Sequence, residues 1–138
     1  MWSLSSTRTT GLTVTATTAR SPGSPWEALS RSKIGLNHLE LFSYVGGFSA
    51  AIRPAEFEKT YAGLTANPQT ANQKLHLLWL GCGTDDGLFG ASDSFSKFLD
   101  TAKIKHTFQS SPGAHTWIVW RRYLDDFAPL LFESEPRK

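Results

Sequence analysis

Residues 74–83 read KLHLLWLGCG, a continuous apolar run closed by glycines at 81 and 83. An unbroken run of this kind fits a strand covered on both faces, as in a parallel sheet packed between helices. The next three segments set the fold class. SDSFSKFLDTAKI (92–104) spaces Phe95, Phe98, Leu99 and Ala102 at helical intervals, with Ser92 or Asp93 placed to cap its start. KHTFQSSPG (105–113) reads as a shorter strand alternating His106 and Phe108. TWIVWRRYLDDFAPLLF (116–132) reads as an amphipathic helix with Trp117, Trp120, Leu124 and Phe127 along one side and Pro129 ending or kinking it. The order β-α-β-α predicts an α/β fold with a mostly parallel sheet and flanking helices.

Upstream, KIGLNHLELF (33–42) resembles the end of a buried helix, with Ile34, Leu36, Leu39 and Leu41 near one side. SYVGGFSA (43–50) fits a short buried strand in which Gly46 and Gly47 permit close approach. The polar stretch 53–74 predicts a surface excursion with a helical turn or two between Glu56 and Tyr61. Residues 1–32 differ in kind. TTGLTVTATTARSPGSPW (9–26) has a brief Thr/Val alternation, then prolines and glycines that break it. This segment is expected to be disordered or poorly packed, leaving 33–138 as the folded unit.

The chain has 138 residues, enough for one domain or part of one, and at 40% hydrophobic it can build a core. A formal net charge of +2 with no basic block argues against nucleic acid. No apolar run is long enough to span a bilayer, and no signal-peptide stretch is visible. Residues 1–26 hold Arg8 and Arg20 and no acid, a composition shared with transit peptides. A single cysteine, Cys82, excludes an internal disulfide and any multi-cysteine zinc site. His38, His76 and His106 lack metal spacing with one another or with Cys82, so neither metal nor cofactor is expected.

In open α/β sheets the working site lies at the carboxyl ends of the strands. Two loops leave such ends here: GCGTDDGLFGAS (81–92), with Asp85 and Asp86, and SSPGAHT (110–116), with His115. On neighbouring strands these loops open on one edge, and a carboxylate reaches the imidazole. A carboxylate on one ring nitrogen fixes the tautomer and stabilises the cation formed when the other nitrogen takes a proton. The bland alternatives stand beside this. A lone aspartate after a strand commonly shapes a turn or caps a helix, and a lone histidine is commonly structural or exposed. Of the two acids, Asp85 is read as the turn residue and Asp86 as the orienter. Cys82 is read as a packed residue at a tight strand end, and Trp79, Trp117 and Trp120 as core.

Residues 77–132, LLWLGCGTDDGLFGASDSFSKFLDTAKIKHTFQSSPGAHTWIVWRRYLDDFAPLLF, carry a G-x-x-D turn followed by G-x-H-x-x-x-x-W. This stretch resembles the C-terminal part of the α/β-hydrolase esterases related to feruloyl and acetyl-xylan esterases, with enterochelin esterase and esterase D as wider relatives. GLNHLELFSYVGGFSAAI (35–52) is similar to the segment that comes after the nucleophile helix there. The resemblance covers roughly residues 33–132. It implies Asp86 as triad acid, His115 as triad base and Trp120 packed beneath the histidine, in the chain order Ser…Asp…His. It also implies that Leu88 and Phe89 either line an acyl or aryl pocket or pack the loop. The implied substrate is a small-molecule or carbohydrate ester, with acetyl and feruloyl groups as candidates. No cofactor, nucleic acid or membrane is implied, and such relatives are often secreted or periplasmic.

The family's G-x-S-x-G elbow is absent. Its expected place, just before Lys33, reads RSPGSPWEALSRS (20–32). Read from the third base of the Arg20 codon, with TCN serines, the same bases permit Ile-Ala-Gly-Leu-Ser-Met-Gly-Gly, and the glycine spanning Trp26 and Glu27 is forced. Residues 1–32 are therefore expected to be an out-of-frame translation of the elbow region. Ser21 and Ser24, beside prolines, are not expected to replace the missing serine. The chain is thus expected to be an esterase fragment inactive alone. The alternative is a non-catalytic α/β remnant that acts as an interaction or structural fragment.

Overall fold

The computed structural model describes residues 11–16, 33–49 and 54–133. Four strands form one sheet in the order β1-β2-β3-β4: β1 (Gly11–Ala16), β2 (Phe42–Phe48), β3 (Leu77–Gly83) and β4 (Thr107–Ser111). Every neighbouring pair is parallel. Residues 33–37 are helical (α1). Between β2 and β3 lie a 3-10 turn at Pro54–Glu56 and three short helices: α2 (Phe57–Thr60), α3 (Ala62–Ala66) and α4 (Pro68–Lys74). α5 (Phe89–Thr101) crosses from β3 to β4, and α6 (Trp117–Phe127) and α7 (Leu130–Glu133) come after β4.

The apolar run at 77–83 is continuous because both faces of β3 are covered. Leu78 and Leu80 point to one side, into a cluster with Val45, Tyr61, Phe95 and Leu99. Trp79 points to the other, against Phe48, Trp120, Tyr123 and Phe127. The two clusters sit on opposite sides of the sheet, one under α5 and the connecting helices, the other under α6. Period-2 alternation in the strand and the sandwich of helices are one fact seen twice.

Several elements differ from expectation. The Thr/Val alternation forms a true strand, β1, paired along β2. The remainder of residues 1–32 lies outside the described residues. Residues 57–74 are far more helical than one or two turns. Asn67 caps α4 by accepting from the Thr70 amide at 3.1 Å, with Pro68 at the first position where no N–H is needed. α5 begins at Phe89, ahead of Ser92 and Asp93, and its N-cap residue Leu88 provides no side-chain cap. On α6 the buried stripe is Val119, Trp120, Tyr123 and Phe127. Trp117, read as core, is 61% exposed, and Leu124 is exposed as well. The helix is rotated because Tyr123, amphipathic, turns its ring into the core and bonds Ser111 Oγ at 2.8 Å through its hydroxyl. Ile34 and Leu41 are also exposed, while Leu36 is buried.

Candidate active site

Two loops leave the carboxyl ends of adjacent strands β3 and β4, whose register pairs Gly83 with Ser111. They are bound to each other along their backbones. The Thr84 amide donates to Ser111 O at 2.9 Å, and the Asp85 amide to Gly113 O at 3.0 Å. The Asp85 carboxylate accepts from the Gly113 amide at 3.1 Å. Asp85 is therefore the residue that clasps the loops, in keeping with a turn role. The approach is so close that a Cβ at Gly83 would strike the Gly113 carbonyl. Gly113 itself has φ +134°, in the region open to glycine.

With the loops clasped, Asp86 and His115 meet. His115 Nδ1 and Asp86 Oδ2 lie 2.8 Å apart. The Asp86 side chain is 1% exposed and that of His115 19% exposed. The carboxylate is thus buried and the imidazole opens to solvent. Asp86 Oδ1 accepts from the Leu88 amide at 2.8 Å, and Oδ2 also accepts from the Ser49 hydroxyl at 2.7 Å. Burial pushes the Asp86 carboxyl up, but the Ser49 hydroxyl, the Leu88 amide and His115 together outweigh it and hold it below the usual carboxylate value. An ionised acceptor makes Nδ1 the protonated nitrogen and leaves Nε2 as the acceptor. Among the described residues Nε2 has no hydrogen-bond partner.

Trp120 lies against the histidine, its ring edge-on at 4.8 Å between centroids and an 89° interplanar angle. Phe89 packs on Phe108 at 6.3 Å, as the loop-packing alternative has it, while Leu88 contributes its amide to the acid. Cys82 is fully buried, and burial pushes its thiol up, away from the reactive thiolate. His38 pairs with exposed Glu40, and His76 lies against the Tyr44 ring. No group of three metal-ligating side chains occurs among the described residues. Ser21 and Ser24 lie outside the described residues. Sequence reading missed Ser49, which sits at the end of β2 beside the pair. The available signal was its place: the first residue after a buried strand, on the same edge as both loops.

The class defined by this architecture is α/β, with a parallel sheet that carries Asp86 and His115 at its carboxyl edge. No protein-family model matches the chain. Among solved structures it is similar to a ferulic acid esterase, with a TM-score of 0.61 and 19% identity over 76% of this chain and 46% of that one. It is similar to S-formylglutathione hydrolase from Staphylococcus aureus, with a TM-score of 0.51 and 16% identity over 75% and 46%. A fluorophosphonate-binding serine hydrolase of Staphylococcus aureus matches with a TM-score of 0.58 and 14% identity over 75% and 49%. All three are α/β hydrolases by fold, and the chain spans about half the length of each.

Proposed function

We propose that this chain carries the acid and base of a serine carboxylic ester hydrolase of the feruloyl and acetyl-xylan esterase type. The observation behind this is the 2.8 Å contact between buried Asp86 and partly exposed His115 on successive strand ends. Asp86 is the orienter and His115 the general base. In the complete site a serine from a strand-to-helix elbow attacks the ester carbonyl while His115 Nε2 takes its proton. The imidazolium, stabilised by Asp86, then protonates the leaving alcohol, and the same base activates water for deacylation. The substrate is a small-molecule or carbohydrate ester, with acetyl and feruloyl esters as first candidates. No metal or cofactor takes part in these steps.

The chain as written has no G-x-S-x-G elbow. Residues 1–32 are read as an out-of-frame translation of that region, so the chain alone is expected to hydrolyse no aryl ester above background. Two measurements test the reading. Sequencing the gene across residues 9–32 should find third bases that spell the elbow; incompatible bases end the frame-shift idea. Restoring that frame should give a hydrolase of aryl acetates, and His115→Ala should reduce its kcat by about 10³-fold or more. A restored enzyme indifferent to His115→Ala would refute the assignment of base. Aryl-ester cleavage by the present chain that is lost on His115→Ala would refute its expected inactivity.

A further inference from the structure

Ser49 closes β2 and is fully buried, with a left-handed backbone at φ 53°. That conformation is uncommon for a residue with a Cβ. Its amide donates to Gly81 O at 2.7 Å, which fixes the turn against β3. Its hydroxyl lies between two functional side chains. Trp120 Nε1 donates to Ser49 Oγ at 3.0 Å, and Ser49 Oγ lies 2.7 Å from Asp86 Oδ2. An indole N–H can only donate and a carboxylate oxygen only accept, so the direction of the chain is forced. Trp120 gives to Ser49, and Ser49 gives to Asp86. His115 gives to the same oxygen from the other side. The weak Cys82 thiol contact, at 3.9 Å, also arrives at Ser49 Oγ as a donor.

We propose that Ser49 is a positioning residue for the Asp86–His115 pair, holding Oδ2 in line with Nδ1 and drawing off part of the carboxylate's basicity. The inference rests on the proposed roles of Asp86 and His115 as acid and base. Its chemistry is simple. An oxygen that accepts two hydrogen bonds divides its charge between them. Without the Ser49 proton, the imidazolium meets a more basic carboxylate and releases its own proton less readily. A base that must give its proton to a leaving alcohol works best when that affinity is held in check. Trp120 both orients the hydroxyl and packs on the imidazole, so one side chain fixes the ring and the acid together. The other titratable groups around the cluster stay neutral or lie outside it. Burial pushes Cys82 on β3 and Tyr123 on α6 up, and exposed Asp85 is engaged with the Gly113 amide.

The test is an NMR titration of His115 in the full chain, comparing the parent with Ser49→Ala, Ser49→Gly and Asp86→Asn. Both Ser49 variants should make His115 bind its proton more tightly, by about three- to tenfold. The shift should be the same in both, although glycine suits the left-handed backbone better. The Trp120 indole N–H resonance should move with it, having lost its acceptor. Asp86→Asn should move His115 the opposite way. If Ser49→Ala fails to fold, Ser49→Gly carries the test. A shift in alanine but not in glycine would assign the effect to backbone strain and overturn the proposal. Parent-like titration in both Ser49 variants, with a clear Asp86→Asn effect, would overturn it and leave the acid–base pair standing. No effect from Asp86→Asn would remove the pair itself.

Discussion

Strand β4 has a histidine at each end, and the two live differently. His106 precedes the strand, with Nδ1 at 3.0 Å from Ile104 O and Nε2 at 2.7 Å from Ser96 Oγ. Its acid, Asp100, is 3.9 Å away and 74% exposed. His115 lies beyond the strand, with Nδ1 on buried Asp86 and Nε2 without a hydrogen-bond partner among the described residues. Both clusters contain a serine, a histidine and an aspartate. At His106 both ring nitrogens are engaged, Nε2 by Ser96 on α5 and Nδ1 by the Ile104 carbonyl in the connecting loop, and the nearby carboxylate is solvated. At His115 one nitrogen is held by a buried charge and the other has no hydrogen-bond partner among the described residues. Residue types alone do not distinguish the two clusters; the disposition of the second nitrogen does, and it is what supports the proposed role of His115.

The largest contrast should come from the acids. Asp86→Ala leaves the Ser49 hydroxyl, the Leu88 amide and His115 without their acceptor. It should lower stability by about 3 kcal/mol in urea unfolding, whereas Asp100→Ala should change it by less than about 0.5 kcal/mol. Equal effects would erase the distinction. The pH dependence has the same origin. Because the folded-state value of Asp86 is lowered, its contribution is full above the ordinary carboxylate range. That contribution is lost as pH falls through the lowered value. The acid limb of a stability profile should therefore flatten in Asp86→Ala and be retained in Asp100→Ala.

Next in size is Gly83→Ala. The new methyl meets the Gly113 carbonyl, which is backbone and cannot swing aside. A loss of about 2 kcal/mol is expected, with the His115 ring resonances displaced and those of His106 unmoved. A parent-like spectrum would show that the loops are not clasped as described. Ser96→Ala should cost about 1 kcal/mol by removing the hydroxyl partner of His106, and it should leave the titration of His115 unchanged. Movement of His115 in that variant would mean that the two ends of β4 are coupled. The smallest effect belongs to Trp117→Ser. A side chain that is 61% exposed should change stability by less than about 0.5 kcal/mol, and a large loss would restore Trp117 to the core.

The parallel sheet was legible because β3 is apolar without interruption, and only a doubly covered strand reads so. The meeting of Asp86 and His115 was legible because glycines mark both strand ends, and an Asp or His beside such a turn stands out. The phase of α6 was not legible. Tryptophans 117 and 120 compete for the buried stripe, and the decision falls to Tyr123, whose hydroxyl needs Ser111 as a partner. The start of α5 was misplaced because Ser92 and Asp93 look like caps, whereas the chain turns earlier, at the Asp86 carboxylate. Ser49 was marked only by its place after a buried strand, since its hydroxyl contact with Trp120 spans 71 residues of sequence. The helices at 57–74 were hidden by polar composition, and their apolar contacts reach the core through single residues such as Phe57, Tyr61 and Leu64.

The tautomer of His115 bears most directly on the acid–base pair. In ¹⁵N-resolved NMR above the imidazole titration, the proton should reside on Nδ1, with Nε2 bare and exchange of the Nδ1 proton slowed by its bond to Asp86. A His115 protonated on Nε2, or averaging freely between the two nitrogens, would mean that the acid does not hold the ring, and the assignment of base would fall with it.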